Sequence, residues 1–141
     1  MTVVTAGDED GRTGLTISSI VVAEGEPPLV YFLLGATTDL FYAIEETRKF
    51  IVHVCAAGHR GLADVFAGLR PSPGGMFIGR PVTQTEYGPV LDDIGTRSFC
   101  SYRGGDEDSY SVIVAATIDR IDLVDIDDPL TYFRGRYRAL E

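Results

Sequence analysis

Cysteine and histidine are scarce in this sequence: Cys55, Cys100, His53 and His59 are all it has of either. Two cysteines cannot build a stapled miniature scaffold, and nothing in their spacing demands a bond. Set among apolar neighbours, they read as reduced, packed thiols. His53 lies between Val52 and Val54 in an apolar run, and His59 just ahead of a helical pattern. A metal site built on this pair would need carboxylates that the flanking residues do not supply. Cations are short too: 12 Lys and Arg face 21 Asp and Glu, a formal net charge of −9. An acidic chain gains nothing from counterion release on a phosphate backbone or from an anionic lipid surface. Neither nucleic acid nor membrane is therefore expected as a partner. No apolar run is long enough to span a bilayer and no charged-then-apolar leader opens the chain, so a cytoplasmic protein is expected. Common catalytic signatures are missing as well. There is no Gly-x-Gly-x-x-Gly after a strand, no Walker loop, no His-Glu-x-x-His, no Cys-x-x-Cys and no Gly-x-Ser-x-Gly elbow.

What the sequence does have is apolar content broken at short intervals. With 45% hydrophobic and 23% charged residues, its 141 residues suit one ordered domain, 1–141. Val3 to Thr5 reads as a strand, and "GDEDGR" (Gly7 to Arg12) as a solvated hairpin tip. Gly14 to Ala23 is rich in β-branched residues and reads as one strand. Leu29 to Leu34, after Pro27-Pro28, has an unbroken apolar run and is expected to be buried on both faces. Thr37-Thr38-Asp39 opens a helix with Leu40, Phe41 and Ile44 as its apolar stripe, ended by Arg48-Lys49. Phe50 to Cys55 is a strand, and Leu62, Val65, Phe66 and Leu69 are spaced for a second short helix. "RPSPGG" (Arg70 to Gly75) reads as loop, Arg97 to Tyr102 as strand, "GGDED" (Gly104 to Asp108) as turn and Tyr110 to Val124 as a long strand. Six or more strands joined mostly by turns, with two short helices, favour a closed antiparallel barrel over a doubly wound sheet.

Two groups of hydroxyls stand out. Thr16, Ser18 and Ser19 interrupt an apolar strand, and strand alternation puts Thr16 and Ser18 on one face. Gly35, Thr37 and Thr38 sit where a buried strand meets a helix start, where free backbone N–H groups can receive an anion. Two such junctions on adjacent strands can hold one phosphate between them.

The stretches that carry these groups resemble a known family. "VVTAGDEDGRTGLTISSIVVAEGEPPLVYFLL", "AIEETRKFIVHVCAAGHRGLADVFAG" and "DPLTYFRGRYRAL" follow the order and spacing of the flavin reductase-like, FMN-binding split-barrel family. The resemblance is weak from about Leu69 to Ala116. It implies a mainly β fold: a six-stranded antiparallel Greek-key split barrel of the FMN-binding type with two short helices. It also implies a homodimer with FMN or FAD at the subunit interface, NADH or NADPH as co-substrate, and a partner monooxygenase that receives reduced flavin. No acid or base is needed for such a transfer, because orientation of the two rings carries most of it. By the same resemblance, Thr16, Ile17, Ser18 and Ser19 line the flavin, and Gly35, Thr37 and Thr38 lie near its ribityl chain and phosphate. Arg134 or Arg136 of the tail reaches an anionic ligand of the other subunit, and His53 sits at a cofactor-contacting position.

Four features depart from the family pattern. A helical segment commonly precedes Val-Val-Thr, whereas here Met1 stands almost at the strand. Asp39 and Leu40 stand where a basic residue and a threonine are usual beside the phosphate. Ser109-Tyr110-Ser111 replaces a common Gly-Asp-His, and His53 replaces a common asparagine. These departures define the alternative: a degenerate split-barrel binding module with weak or no flavin binding, acting through another ligand or a protein partner. A pyridoxamine-phosphate-oxidase-like or deazaflavin-dependent enzyme matches the chain order less well.

Overall fold

A computed structural model describes residues 1–108 and 110–140. Its elements in chain order are β1 (Thr2–Ala6), β2 (Thr13–Ile17), β3 (Val21–Ala23), β4 (Leu29–Gly35), α1 (Asp39–Thr47), β5 (Lys49–Val54), a 3-10 turn (Ala57–His59) and α2 (Arg60–Phe66). There follow β6 (Val82–Thr85), β7 (Gly88–Leu91), β8 (Arg97–Asp108), β9 (Ser111–Asp122), β10 (Thr131–Phe133) and β11 (Arg136–Arg138). Seven strands form one antiparallel sheet in the order β2-β1-β5-β8-β9-β4-β3, while β6-β7 and β10-β11 are separate hairpins.

The expectation of six strands in a closed barrel is therefore corrected. β2 and β3 are separated by only Ser18–Ile20, yet they occupy opposite edges of the sheet. Four Cα steps keep Ile17 and Val21 within about 15 Å. The sheet must curl until its edges approach, but no ladder joins them. The reason lies in the stretch read as one strand: it leaves β1 at Ile17, turns through Ser18 and Ser19, and joins β4 from Val21. Ser19 makes the second attachment, its hydroxyl bonding both the N–H (3.0 Å) and the carbonyl (3.3 Å) of Leu33.

Strand alternation divides the core. Val4, Ala6, Phe32, Phe50, Val52 and Val114 face the concave side, where the Phe32 and Phe50 rings meet edge to face at 5.4 Å. Leu40, Phe41 and Ile44 of α1 join the same cluster. Val3 points the other way, into a cluster with Ala63, Val65 and Phe66 of α2 and with Leu91, Ile94 and Leu130. β1 is thus covered on both faces. β4 is not: Leu33 is half exposed, so the expected two-sided burial of Leu29 to Leu34 holds only for alternate residues.

The helices begin and end for local reasons. Thr38 is the N-cap of α1, its hydroxyl accepting from the Phe41 N–H at 3.3 Å. Arg48 closes α1 in the left-handed region (φ 64°), its N–H donating to Ile44 O. After α2, Gly68 (φ 75°) donates to Val65 O and Leu69 donates to Asp64 O. This pair of bonds is the Schellman closure, which reverses the chain sharply. "GGDED" is strand, not turn: β8 continues through Asp108 and pairs with β9, with register shifts at Phe99/Cys100 and Tyr102/Gly104. Of the Ser109-Tyr110-Ser111 position, Ser109 lies outside the described residues, while Tyr110 O accepts from the Ala36 N–H (3.4 Å) and Ser111 opens β9 opposite Gly35. Cys55 and Cys100 are buried and unbridged, and burial pushes their thiols up to about 11 and about 12.

Candidate functional site

Two clefts flank the edge strand β2. The first, of 590 Å³, is lined at its base by Thr13, Gly14 and Leu15 of β2 and on one wall by Thr37, Thr38, Asp39 and Leu40 at the start of α1. Val65 to Gly68 at the end of α2 also line it, followed by Arg70, Pro71 and Ser72. The second cleft, of 460 Å³, is lined by Ile17, Ser18 and Ile20 on one side and by Pro129 to Tyr132 on the other. Gly14 and Ser18 are four residues apart, about 13 Å along a strand. One side of β2 is paired with β1, and the other carries no strand.

The structure brings some of the sequence-derived residues together and spends others inside the protein. Thr37 and Thr38 share the first cleft, and Ile17 and Ser18 share the second. Thr37 and Ser18 are exposed. Thr38 has its hydroxyl committed, donating to Gly35 O at 2.8 Å while capping α1. Thr16 donates to Ala63 O at 2.5 Å, tying β2 to α2. Ser19 is held by Leu33. Gly35 ends β4 beneath the Thr38 cap.

His53 and Arg134 line neither cleft. His53 is fully buried; its Nδ1–H donates to Val3 O (3.1 Å) and its Nε2 accepts from the Leu91 N–H (3.0 Å). Burial drives its pKa down to about 4, with the positive charge of Arg97 adding to the effect, so the ring is neutral at pH 7. Arg134 sits in the β10-β11 turn with φ 51°, followed by Gly135 at 81°. Two successive left-handed residues are the geometry of a tight hairpin turn. Its guanidinium lies 5.4 Å from the Phe133 ring centre.

A further polar cluster lies away from the clefts. Tyr87, Ser101 and Thr117 all donate to the Asp119 carboxylate, and Lys49 sits 4.4 Å over the Tyr87 ring. Partial burial pushes the Asp119 carboxyl up, but the Ser101, Tyr87 and Thr117 donors and Lys49 outweigh it and hold it below its ordinary value. This knot ties β5, the β6-β7 turn, β8 and β9 together. Among the described residues no group of three His, Cys, Asp or Glu is placed to hold a metal, and no helix is long and apolar enough to cross a membrane.

A family model described as flavin reductase like domain matches residues 1–141. The chain belongs to the flavin reductase like family. Among curated relatives of this family, the 4-hydroxyphenylacetate 3-monooxygenase reductase component of Thermus thermophilus is 29% identical over 99% of this chain and 87% of its own. The FMN reductase (NADH) RutF of Ancylobacter novellus is 28% identical over 64% of this chain; the match spans half of that relative's length. Among solved structures, the NADH:FAD oxidoreductase of Streptomyces globisporus C-1027, in complex with NAD and FAD fragments, superposes with a TM-score of 0.87. It is 21% identical, with 99% of this chain and 84% of that one covered.

Three contributors to the first cleft had no signal in the residue pattern read for this flavin reductase like chain. Gly14, Phe66 and Arg70 come from a strand, a helix and a loop that the fold alone assembles. For Arg70 the one available hint was its place two residues after Gly68, the glycine that reverses the chain.

Proposed function

We propose that this chain is an NAD(P)H-dependent flavin reductase, passing a hydride from NADH or NADPH to FMN or FAD. The observation that carries the reading is the edge strand β2, which lines one cleft at Thr13 to Leu15 and a second at Ile17 with Ser18 just beyond it. That span suits a molecule with a phosphate at one end and a flat ring system at the other. In this arrangement the α1 N-terminus and Thr37 receive the phosphate, the β2 edge follows the ribityl chain, and Ser18 with Ile17 and Ile20 borders the ring. Thr16, Ser19, Gly35 and Thr38 act one step back: their hydrogen bonds fix β2, the β2-β3 corner and the α1 cap that shape the clefts. His53 holds β5 to β1 and β7, and Arg134 reaches a ligand only from a second subunit.

The bound flavin supplies the two-electron acceptor. The protein's part is to hold it where a reduced nicotinamide can stack, so proximity and orientation replace acid–base chemistry. The relatives named as reductase components support a monooxygenase that consumes the reduced flavin. Both clefts are open to solvent, which supports a split barrel that works as a homodimer, the second copy closing the site. Light scattering is expected to give the mass of a dimer; a monomer at high concentration contradicts this arrangement.

The function itself is tested by titrating FMN and FAD against the purified protein and then following NADH and NADPH oxidation. Flavin binding at micromolar levels with flavin-dependent oxidation is expected. A colourless protein that ignores both flavins rejects the proposal in favour of a degenerate binding module. Thr37→Ala and Ser18→Ala are expected each to weaken flavin binding about fivefold, the loss of roughly 1 kcal/mol of hydrogen bonding, with no change in melting temperature. Thr38→Ala is expected to lower stability by about 1 kcal/mol through loss of the helix cap. Parallel binding and thermal-melt measurements separate the two effects.

A further inference from the structure

The first cleft faces the anion problem raised by Asp39. A carboxylate stands in the first turn of α1, at the wall that would receive a phosphate of charge about −1.5 to −2. A cation must come from elsewhere, and most cations of the molecule are already engaged. Lys49 pairs with Glu86, Arg97 and Arg120 with Asp122, and Arg12 with Gln84. Arg48, Arg60 and Arg80 lie over the rings of Tyr102, Tyr137 and Phe66. Arg70 is different. It is the one basic residue lining the first cleft, and among the described residues it makes no ion pair.

The fold explains how Arg70 gets there. The Schellman closure at Gly68 reverses the chain, and the Arg70 side chain runs back along α2 to Gly61. Its Nη1 lies only 2.8 Å from where a Cβ on Gly61 would be. A side chain on residue 61 would displace the guanidinium; glycine leaves it a seat against the helix. Arg70 thus lines the same cleft as Thr37, Thr38 and Asp39.

We propose that Arg70 is the phosphate-binding residue of the first cleft, supplied from the α2-β6 loop in place of a cation at the α1 junction, and that it makes the protein selective for phosphorylated flavins over riboflavin. The proposal rests on the flavin-reductase reading. Charge-assisted hydrogen bonds from a guanidinium to a phosphate are among the strong ones, and the fork geometry of arginine matches a phosphate edge. Asp39 works against it and tempers the affinity.

The experiment measures dissociation constants for FMN and for riboflavin on the full chain, with Arg70→Gln, Arg70→Lys, Gly61→Ala and Asp39→Asn. Arg70→Gln is expected to weaken FMN by on the order of tenfold or more while changing riboflavin less than about twofold. Arg70→Lys is expected to recover part of the loss. Gly61→Ala is expected to weaken FMN selectively by moving the guanidinium, and Asp39→Asn to tighten it. Arg70 is exposed, so unchanged melting temperature serves as the folding control. An Arg70→Gln protein that binds FMN as the parent does, or that loses FMN and riboflavin equally, overturns the proposal. A parent protein that binds the two flavins equally overturns it and leaves the reductase reading intact. A parent protein that binds neither overturns both.

Discussion

Replacing His53 by leucine is expected to cost about 3 kcal/mol of stability at neutral pH, and almost nothing near pH 4. The imidazole is fully buried between β1 and β7, donating to Val3 O through Nδ1 and accepting from the Leu91 N–H through Nε2. Leucine fills the volume but withdraws a donor and an acceptor from two buried backbone groups, each worth roughly 1–3 kcal/mol when left without a partner. The acid limb follows from linkage. In the folded state the ring has a pKa of about 4, against an ordinary 6.5, because burial disfavours its charged form. The unfolded chain therefore binds more protons between those values, and stability falls as pH drops from 6.5 toward 4. A gap of that size corresponds to roughly 3 kcal/mol. The leucine variant lacks this limb, so the two proteins converge in acid. His53→Asn keeps one donor and one acceptor without a proton to bind. It is expected to lose less at neutral pH and to show the same flat acid limb. Urea titrations from pH 7.5 to 4 decide the matter. A parent protein whose stability is flat over that range would mean that the ring is solvated, and that its two hydrogen bonds are not what holds β7 to the sheet.

How much of this was legible beforehand differs from element to element. The α1 helix was, because its signals are local: Thr38 caps it, Leu40 and Ile44 face the core and Arg48 ends it. That the chain is mainly β with two short helices was legible for the same reason, whereas the strand count and the open sheet were not. The break at Ser18 was not. Gly14 to Ala23 is rich in β-branched residues, and nothing within it states that one half pairs with β1 and the other with β4. That choice is made by strands outside the stretch, β1 before it and β4 after it. "GGDED" reads as turn by composition, yet β9 supplies a partner for every residue from Gly104 to Asp108 and holds them extended. The roles of the hydroxyls were hidden for a related reason. Thr16 and Ser18 look alike in sequence, but Ala63 O happens to lie against the first and a cleft against the second. Arg70 was hidden most fully, since its position follows from a chain reversal at Gly68 and a missing side chain at Gly61.

Gly14→Ala is expected to damage both stability and flavin binding, through a single contact. Gly14 is buried in β2 opposite Thr5, and a Cβ there would lie 2.9 Å from two ring carbons of Phe66 and 2.9 Å from Val4 O. Those distances are well inside van der Waals contact. The carbonyl belongs to a paired strand and cannot retreat, so the ring must move. Its room is limited: Phe77 packs edge to face against it at 5.2 Å, and the Arg80 guanidinium lies 5.8 Å from its centre. Overpacking of this kind costs roughly 1–3 kcal/mol. For a chain of this size that corresponds to a melting temperature lower by roughly 4–10 °C. The second effect arises because Gly14 and Phe66 both line the first cleft, so a displaced ring intrudes where the ribityl-phosphate end of a flavin would lie. Flavin affinity is expected to fall about tenfold or more. Phe66→Leu supplies the control, since leucine lacks the two ring carbons that the new methyl meets. Alone it is expected to destabilise through the lost ring packing; combined with Gly14→Ala it is expected to restore much of what the alanine removed. The double-mutant cycle should therefore show a coupling of at least 1 kcal/mol, well outside the range of independent sites. Strictly additive losses in the melts, or full flavin affinity in the Gly14→Ala protein, would show that the glycine is not what makes room for Phe66 beside the cleft.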